Sequence, residues 1–150
     1  MEDRVQKAVD LFEQGYNCSQ SVLGAFADLY GMDEKTAFRI SASFGGGIGR
    51  MRETCGAACG LFMLAGLDKG NVVPDTKIKA ETYKLVQKLA AEFRKRNGSI
   101  CCGELLGLKK NAAISYIPEE RNKEYYKKRP CVKIVEEAAK IWSEYYENKD

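Results

Sequence analysis

Residues 74–98 read PDTKIKAETYKLVQKLAAEFRKRNG. Within them Ile78, Thr82, Leu85, Val86, Leu89 and Phe93 recur at intervals of three and four, the spacing that lines one side of an α-helix. Pro74 and Asp75 stand where such a helix starts, and Asn97-Gly98 where it ends. An amphipathic helix of this length is stable only if its apolar stripe is covered, so the rest of the chain must supply partners.

Those partners are also helical in pattern. Upstream, Val5, Ala8, Val9 and Phe12 mark a helix ended by Gly15. Asn17 suits the N-cap of a second, whose apolar side is Val22, Leu23, Phe26 and Tyr30 and which Gly31 closes. Asp33 and Thr36 open a third, running to about Ser43. Phe44–Arg50 carries four glycines, too many for a stable helix, and is expected to be a loop. Thr54 is the expected N-cap of a helix from Cys55 to about Leu67. Downstream, Ser99 is expected to cap a short turn over Cys102–Leu106. Residues 107–129 are weakly patterned, with Pro118 opening a short helix. Pro130 fits the first turn of a last helix that turns Ile134, Val135, Ala138, Ile141, Trp142 and Tyr145 inward. No segment alternates like a strand, and there is no repeat and no Pro/Ser-rich linker. The fold expected is all-α, a single-domain helical bundle of about five to seven helices over residues 1–150.

Composition agrees. The chain has 150 residues, 45% of them hydrophobic and 30% charged, which suits one domain with one core. A net charge of +3 argues for no nucleic acid. The longest apolar stretch, Ala57–Leu67, is too short to span a bilayer and contains Gly60 and Gly66, so no membrane association is expected. The N-terminus starts acidic and lacks a signal-peptide core, which points to the cytoplasm.

Six cysteines and no histidine set the chemistry. Without histidine there is no His-ligated zinc or haem, no Cys-His dyad and no Ser-His-Asp triad. Cys18, Cys55, Cys102 and Cys131 each fall at the start of an expected helix. Unpaired N–H groups and the positive end of the helix dipole there stabilise a thiolate, so all four are expected to be reactive, with lowered pKa values. They share helix faces with apolar residues, which places them at the inner rim of the bundle. A buried cysteine is often only a small hydrophobe, and that reading is kept for Cys59 in mid-helix. Cys101 is ambiguous, because adjacent cysteines can form a strained disulfide with each other.

The glycine loop just before Cys55 is the second candidate. It matches neither a dinucleotide fingerprint nor a P-loop. Gly45–Gly49 could cradle an anion with backbone N–H groups, Gly46 and Gly47 could let backbone approach a cofactor closely, and Arg50 and Arg52 add positive charge near a thiolate.

At these residues the chain resembles the family named for a C_GCAxxG_C_C cysteine pattern. Tyr16-Asn17-Cys18-Ser19-Gln20 looks like its first cysteine segment. Gly45-Gly46-Gly47 through Glu53-Thr54-Cys55-Gly56-Ala57 and Gly60 looks like its central motif. Cys102–Gly107 and Arg129-Pro130-Cys131 look like the third and fourth segments. The resemblance implies a redox role with Cys18, Cys55, Cys102 and Cys131 as the functional set; Cys59 and Cys101 are additional to the pattern. Similar domains occur in split-Soret cytochromes, but this chain lacks Cys-x-x-Cys-His and no haem is expected.

Three functions follow. The four cysteines could be ligands of an iron–sulfur or other metal centre exchanging electrons with a redox partner, an iron–sulfur cluster being the cofactor expected first. They could instead serve metal-free thiol–disulfide exchange, through a pair formed in space such as Cys18 with Cys55. Or the protein is a non-catalytic interaction module with core cysteines, whose Tyr125-Tyr126 and Tyr145-Tyr146 form a partner surface or a homodimer interface.

Overall fold

In a computed structural model, which describes residues 1–149, the described residues form eight α-helices. They are α1 (Glu2–Glu13), α2 (Cys18–Phe26), α3 (Glu34–Ser41), α4 (Gly56–Lys69), α5 (Thr76–Asn97), α6 (Cys102–Leu105), α7 (Lys123–Lys128) and α8 (Cys131–Asn148). Short 3-10 turns follow α2 and α3, and among the described residues there is no strand beyond a lone bridge between Thr54 and Cys101. The all-α reading holds, and α7 in the weakly patterned segment brings the helix count above the expected range.

The ends form for the reasons the sequence gives. Asp75 accepts the Ile78 N–H, and Gly98 closes α5 at a φ of 96°. Asn17 and Gln20 form a reciprocal capping box at the start of α2. Asp33 accepts the Thr36 N–H at α3. Three boundaries differ. Thr54 does not cap α4; its backbone is engaged in the bridge to Cys101, and Cys55 takes the cap position. Ser99 accepts the Cys101 N–H, and Cys101, not Ser99, occupies the cap of α6. Pro118 opens no helix: α7 starts after Asn122, whose side chain accepts the Tyr125 N–H.

The core forms around α4, which is buried from Gly56 to Leu61 and again at Leu64 and Ala65. On one side α2 lies against it so closely that a Cβ on Gly60 would stand 2.9 Å from Val22 Cβ. α1, α5 and α8 complete the shell with Phe12, Leu89, Phe93, Val135 and Trp142. Each such large side chain contributes about 1.5–3 kcal/mol by leaving water.

The far end of α4 is fixed by a buried carboxylate. Asp68, with 3% of its side chain exposed, accepts the hydroxyls of Tyr145 at 2.7 Å and Tyr30 at 3.0 Å and pairs with Lys149. Burial works against its charge, but these partners outweigh burial and hold its pKa below the ordinary carboxylate value. Asp68→Ala is expected to cost about 3 kcal/mol at pH 7, because it strands a cation and two hydroxyls. The stabilisation is complete above the ordinary carboxylate pKa and is lost as pH falls through the lowered one. Urea unfolding across the acid range checks both the size and the sign.

The tyrosines considered for a partner surface are used within the chain. Tyr125 and Tyr126 are half-buried and pack on Phe12 with ring centroids at 6.5 and 6.2 Å. Tyr145 holds Asp68, and Tyr146 lies under the Lys149 ammonium. Among the described residues no helix is long and apolar enough to cross a membrane.

Candidate functional site: a four-cysteine cavity

Each of the four cysteines starts a helix. Cys18, Cys102 and Cys131 are the first residues of α2, α6 and α8, and Cys55 caps α4. Two devices bring these starts together. The Cys55 N–H donates to the Ile100 carbonyl and the Cys102 N–H to the Glu53 carbonyl, both at 2.6 Å, which ties the second and third cysteines side by side. Gly56 then lets α4 meet α2: a Cβ there would lie 3.3 Å from Cys18 Cβ and 3.2 Å from the Ser19 nitrogen. α8 packs across α1, α2 and α4 and delivers Cys131 to the same place.

The glycine loop is a left-handed turn. Gly46, Gly47, Ile48, Gly49 and Arg50 all have φ between 59° and 76°, and Arg52 has 62°. For Ile48, Arg50 and Arg52 this conformation costs about 1–2 kcal/mol each. The turn is held because the N–H groups of residues 48–53 all donate to carbonyls of residues 43–48. Those N–H groups are therefore not free to cradle an anion, which narrows that expectation to the N–H groups of Gly45, Gly46 and Gly47. Gly46 and Gly47 also act by close approach: a Cβ on Gly47 would sit 2.5 Å from Cys102 Cβ.

The result is one cavity of about 430 Å³ with Cys18, Cys55, Cys102 and Cys131 all in its wall. Gly46, Gly47, Arg50 and Arg52 line it too. So do Tyr116, Glu119, Arg121, Tyr125 and Arg129, which sequence reasoning did not place at the site. These last five belong to a weakly patterned segment that carries no helical stripe; its two arginines were the only hint. Arg50 fixes this segment over the cavity by donating to the Ser115 carbonyl at 2.7 Å and to the Ile117 carbonyl. Arg121 anchors its far end on the Phe12 and Tyr16 carbonyls, with its guanidinium 4.2 Å from the Phe12 ring centroid.

The thiols do not share one character. Contact with Cys18 lowers the Cys131 pKa to about 7 against the opposing effect of burial, and Arg129, Arg121 and Arg52 add to the lowering. The same contact, with burial, pushes Cys18 well up. Burial pushes Cys55 up to about 12 even though the Ala57 and Ala58 N–H groups favour its thiolate. Burial also raises Cys102, against the Arg52 guanidinium 3.6 Å from its sulfur. The expectation of four lowered pKa values is thus corrected to one. A helix start lowers a thiol pKa only while the sulfur keeps enough polar surroundings: desolvation wins at Cys55 and Cys102, and at Cys18 the contact with Cys131 raises the thiol first and burial second.

Cys59 and Cys101 lie outside the cavity wall. The Cys59 thiol points to the Thr54 carbonyl at 3.8 Å, and the Cys101 thiol to the Arg52 carbonyl at 3.4 Å. All six cysteines are free, so Cys101 and Cys102 form no disulfide. Among the described residues no three Cys, Asp or Glu side chains stand close enough to hold one metal ion. A mononuclear site, such as zinc, does not fit. Four thiols line the one cavity, and four thiolates are the number and kind of donors that an iron–sulfur cluster would take.

Fold and site together define an all-helical protein with a shared four-cysteine cavity. The model of the family described as "Putative redox-active protein (C_GCAxxG_C_C)" matches residues 16–145. The chain belongs to that family. No curated protein and no solved structure matches it.

Proposed function

We propose that the protein is an electron-transfer protein whose centre is an iron–sulfur cluster held by Cys18, Cys55, Cys102 and Cys131. One observation carries this reading: four thiols from four separate helix starts line one cavity of about 430 Å³. The cluster would supply reversible one-electron transfer to a redox partner. The chain's own residues would do the rest. Gly46 and Gly47 give backbone that approaches without side chains, and the arginines offset the negative charge of four thiolates. The raised thiols must give up protons to bind, so cluster insertion should be favoured by rising pH. The reading goes with a reducing compartment, the cytoplasm.

Protein purified without oxygen tests it. The expected result is stoichiometric iron and sulfide with visible absorption, abolished by Cys18→Ala, Cys55→Ala, Cys102→Ala or Cys131→Ala and kept by Cys59→Ala. A colourless protein that also resists reconstitution would end this reading.

A second reading is favoured by one specific contact. Contact with Cys18 lowers the Cys131 thiol and raises that of Cys18, which would make Cys131 the more readily ionised of the two, as disulfide exchange requires. Cys131, rather than Cys55, would then be the partner of Cys18, because burial pushes the Cys55 thiol up to about 12. In a metal-free protein, an oxidised form with a Cys18–Cys131 disulfide and two fewer titratable thiols would support it.

A further inference from the structure

Four guanidinium groups and one carboxylate line the thiol cavity. Among the described residues only Arg129 is paired, with Glu119. Arg50 and Arg121 donate to backbone carbonyls, and Arg52 to the Cys102 sulfur. Carbonyl and thiol acceptors satisfy N–H groups but leave the charge uncancelled. Among the described residues none of these three arginines has an acidic partner within ion-pair distance. Like charges in a partly desolvated cavity repel more strongly than in water, so the wall favours an anionic occupant.

Arg52 is the arginine best placed to meet such an occupant. Arg50 and Arg121 are each committed to two carbonyls that fix the segment over the cavity. Arg52 has one long contact, 3.6 Å, to a sulfur. Its backbone is held at a φ of 62°, a strained conformation that sets this side chain beside the thiols. Guanidinium forks match oxyanions bidentately.

We infer that the metal-free, reduced cavity is a binding site for a small molecule bearing a multiply charged oxyanion group, with Arg52 as its direct contact and Arg50 and Arg121 as its electrostatic support. This goes beyond the cluster reading and does not rest on it; cluster and anion would compete for one wall.

Isothermal titration of the metal-free, reduced protein with sodium phosphate tests it, with sodium chloride at equal ionic strength as the reference. One saturable site with a Kd of about 1 mM or tighter is expected. Arg52→Gln should weaken it at least tenfold, Arg52→Lys less, and Lys140→Gln on the outer face of α8 not at all. Circular dichroism of each variant confirms folding. Phenyl phosphate binding more tightly than phosphate would identify the group as part of an organic molecule, and equal binding would point to the free ion. Absence of saturable heat, or unchanged affinity in Arg52→Gln and Arg50→Gln alike, overturns the inference. Failure of iron to bind leaves this titration unaffected, so the two conclusions fall separately.

Discussion

Gly47→Ala is expected to destabilise the protein by about 2–5 kcal/mol and to disrupt the thiol cavity. The added methyl would stand 2.5 Å from Cys102 Cβ and 2.8 Å from both Arg52 Cα and the Glu53 nitrogen. Two of those three atoms are backbone, held by the bonds that join residues 52–55 to residues 100–103. Overpacking against such neighbours costs about 1–3 kcal/mol. The φ of 76° adds about 1–2 kcal/mol for any residue with a Cβ. Two other glycines separate these causes. Gly49→Ala meets nothing nearer than the Ser43 carbonyl at 3.9 Å, so it should show the conformational part alone. Gly66 lies within α4 with nothing inside 4 Å, and Gly66→Ala should gain up to about 1 kcal/mol. Urea unfolding of the three variants gives the comparison. Equal stability of Gly47→Ala and Gly49→Ala would show that close approach to Cys102 is not what this glycine provides.

Alkylation of the reduced, metal-free protein at pH 7 should modify Cys131 well before Cys55. With a pKa near 7, about half of Cys131 is thiolate there, against about 3% for an ordinary cysteine. The lower basicity makes its thiolate a somewhat weaker nucleophile, so the net gain over an ordinary cysteine is expected to be about three- to fourfold. Cys55, pushed up to about 12 by burial, should stay unmodified until the protein unfolds. The Cys131 rate should fall as pH drops through about 7. In Cys18→Ala its midpoint should move upward, because contact with Cys18 is the largest cause of the lowering. Arg52→Gln and Arg129→Gln should move it the same way by less. Peptide mapping by mass spectrometry reads each site separately. An unchanged midpoint in Cys18→Ala would mean that contact with Cys18 does not lower the Cys131 thiol.

The sequence determined what is local. α5 follows from its stripe and from Asp75 and Gly98, because helix periodicity and caps act within a few residues of each other. The all-α class, the four cysteines at helix starts and the loop around Gly46 and Gly47 were legible for the same reason. The family motif names those cysteines without stating their geometry.

The tertiary structure decided the rest. That the four thiols meet at one cavity depends on the paired bonds between Cys55 and Ile100 and between Cys102 and Glu53, contacts across more than 40 positions of chain. That Arg121, Arg129, Glu119 and Tyr116 share the wall depends on Arg50 and Arg121 fixing residues 115–121 across it, in a segment with no periodicity to read. The ionisation of the thiols was also beyond sequence. A helix start predicts stabilisation of a thiolate by N–H groups a residue or two away, but the desolvation that overrides it at Cys55 comes from helices remote in sequence. Local hydrogen bonds are written in the order of residues; burial and charge are sums over everything the fold brings near.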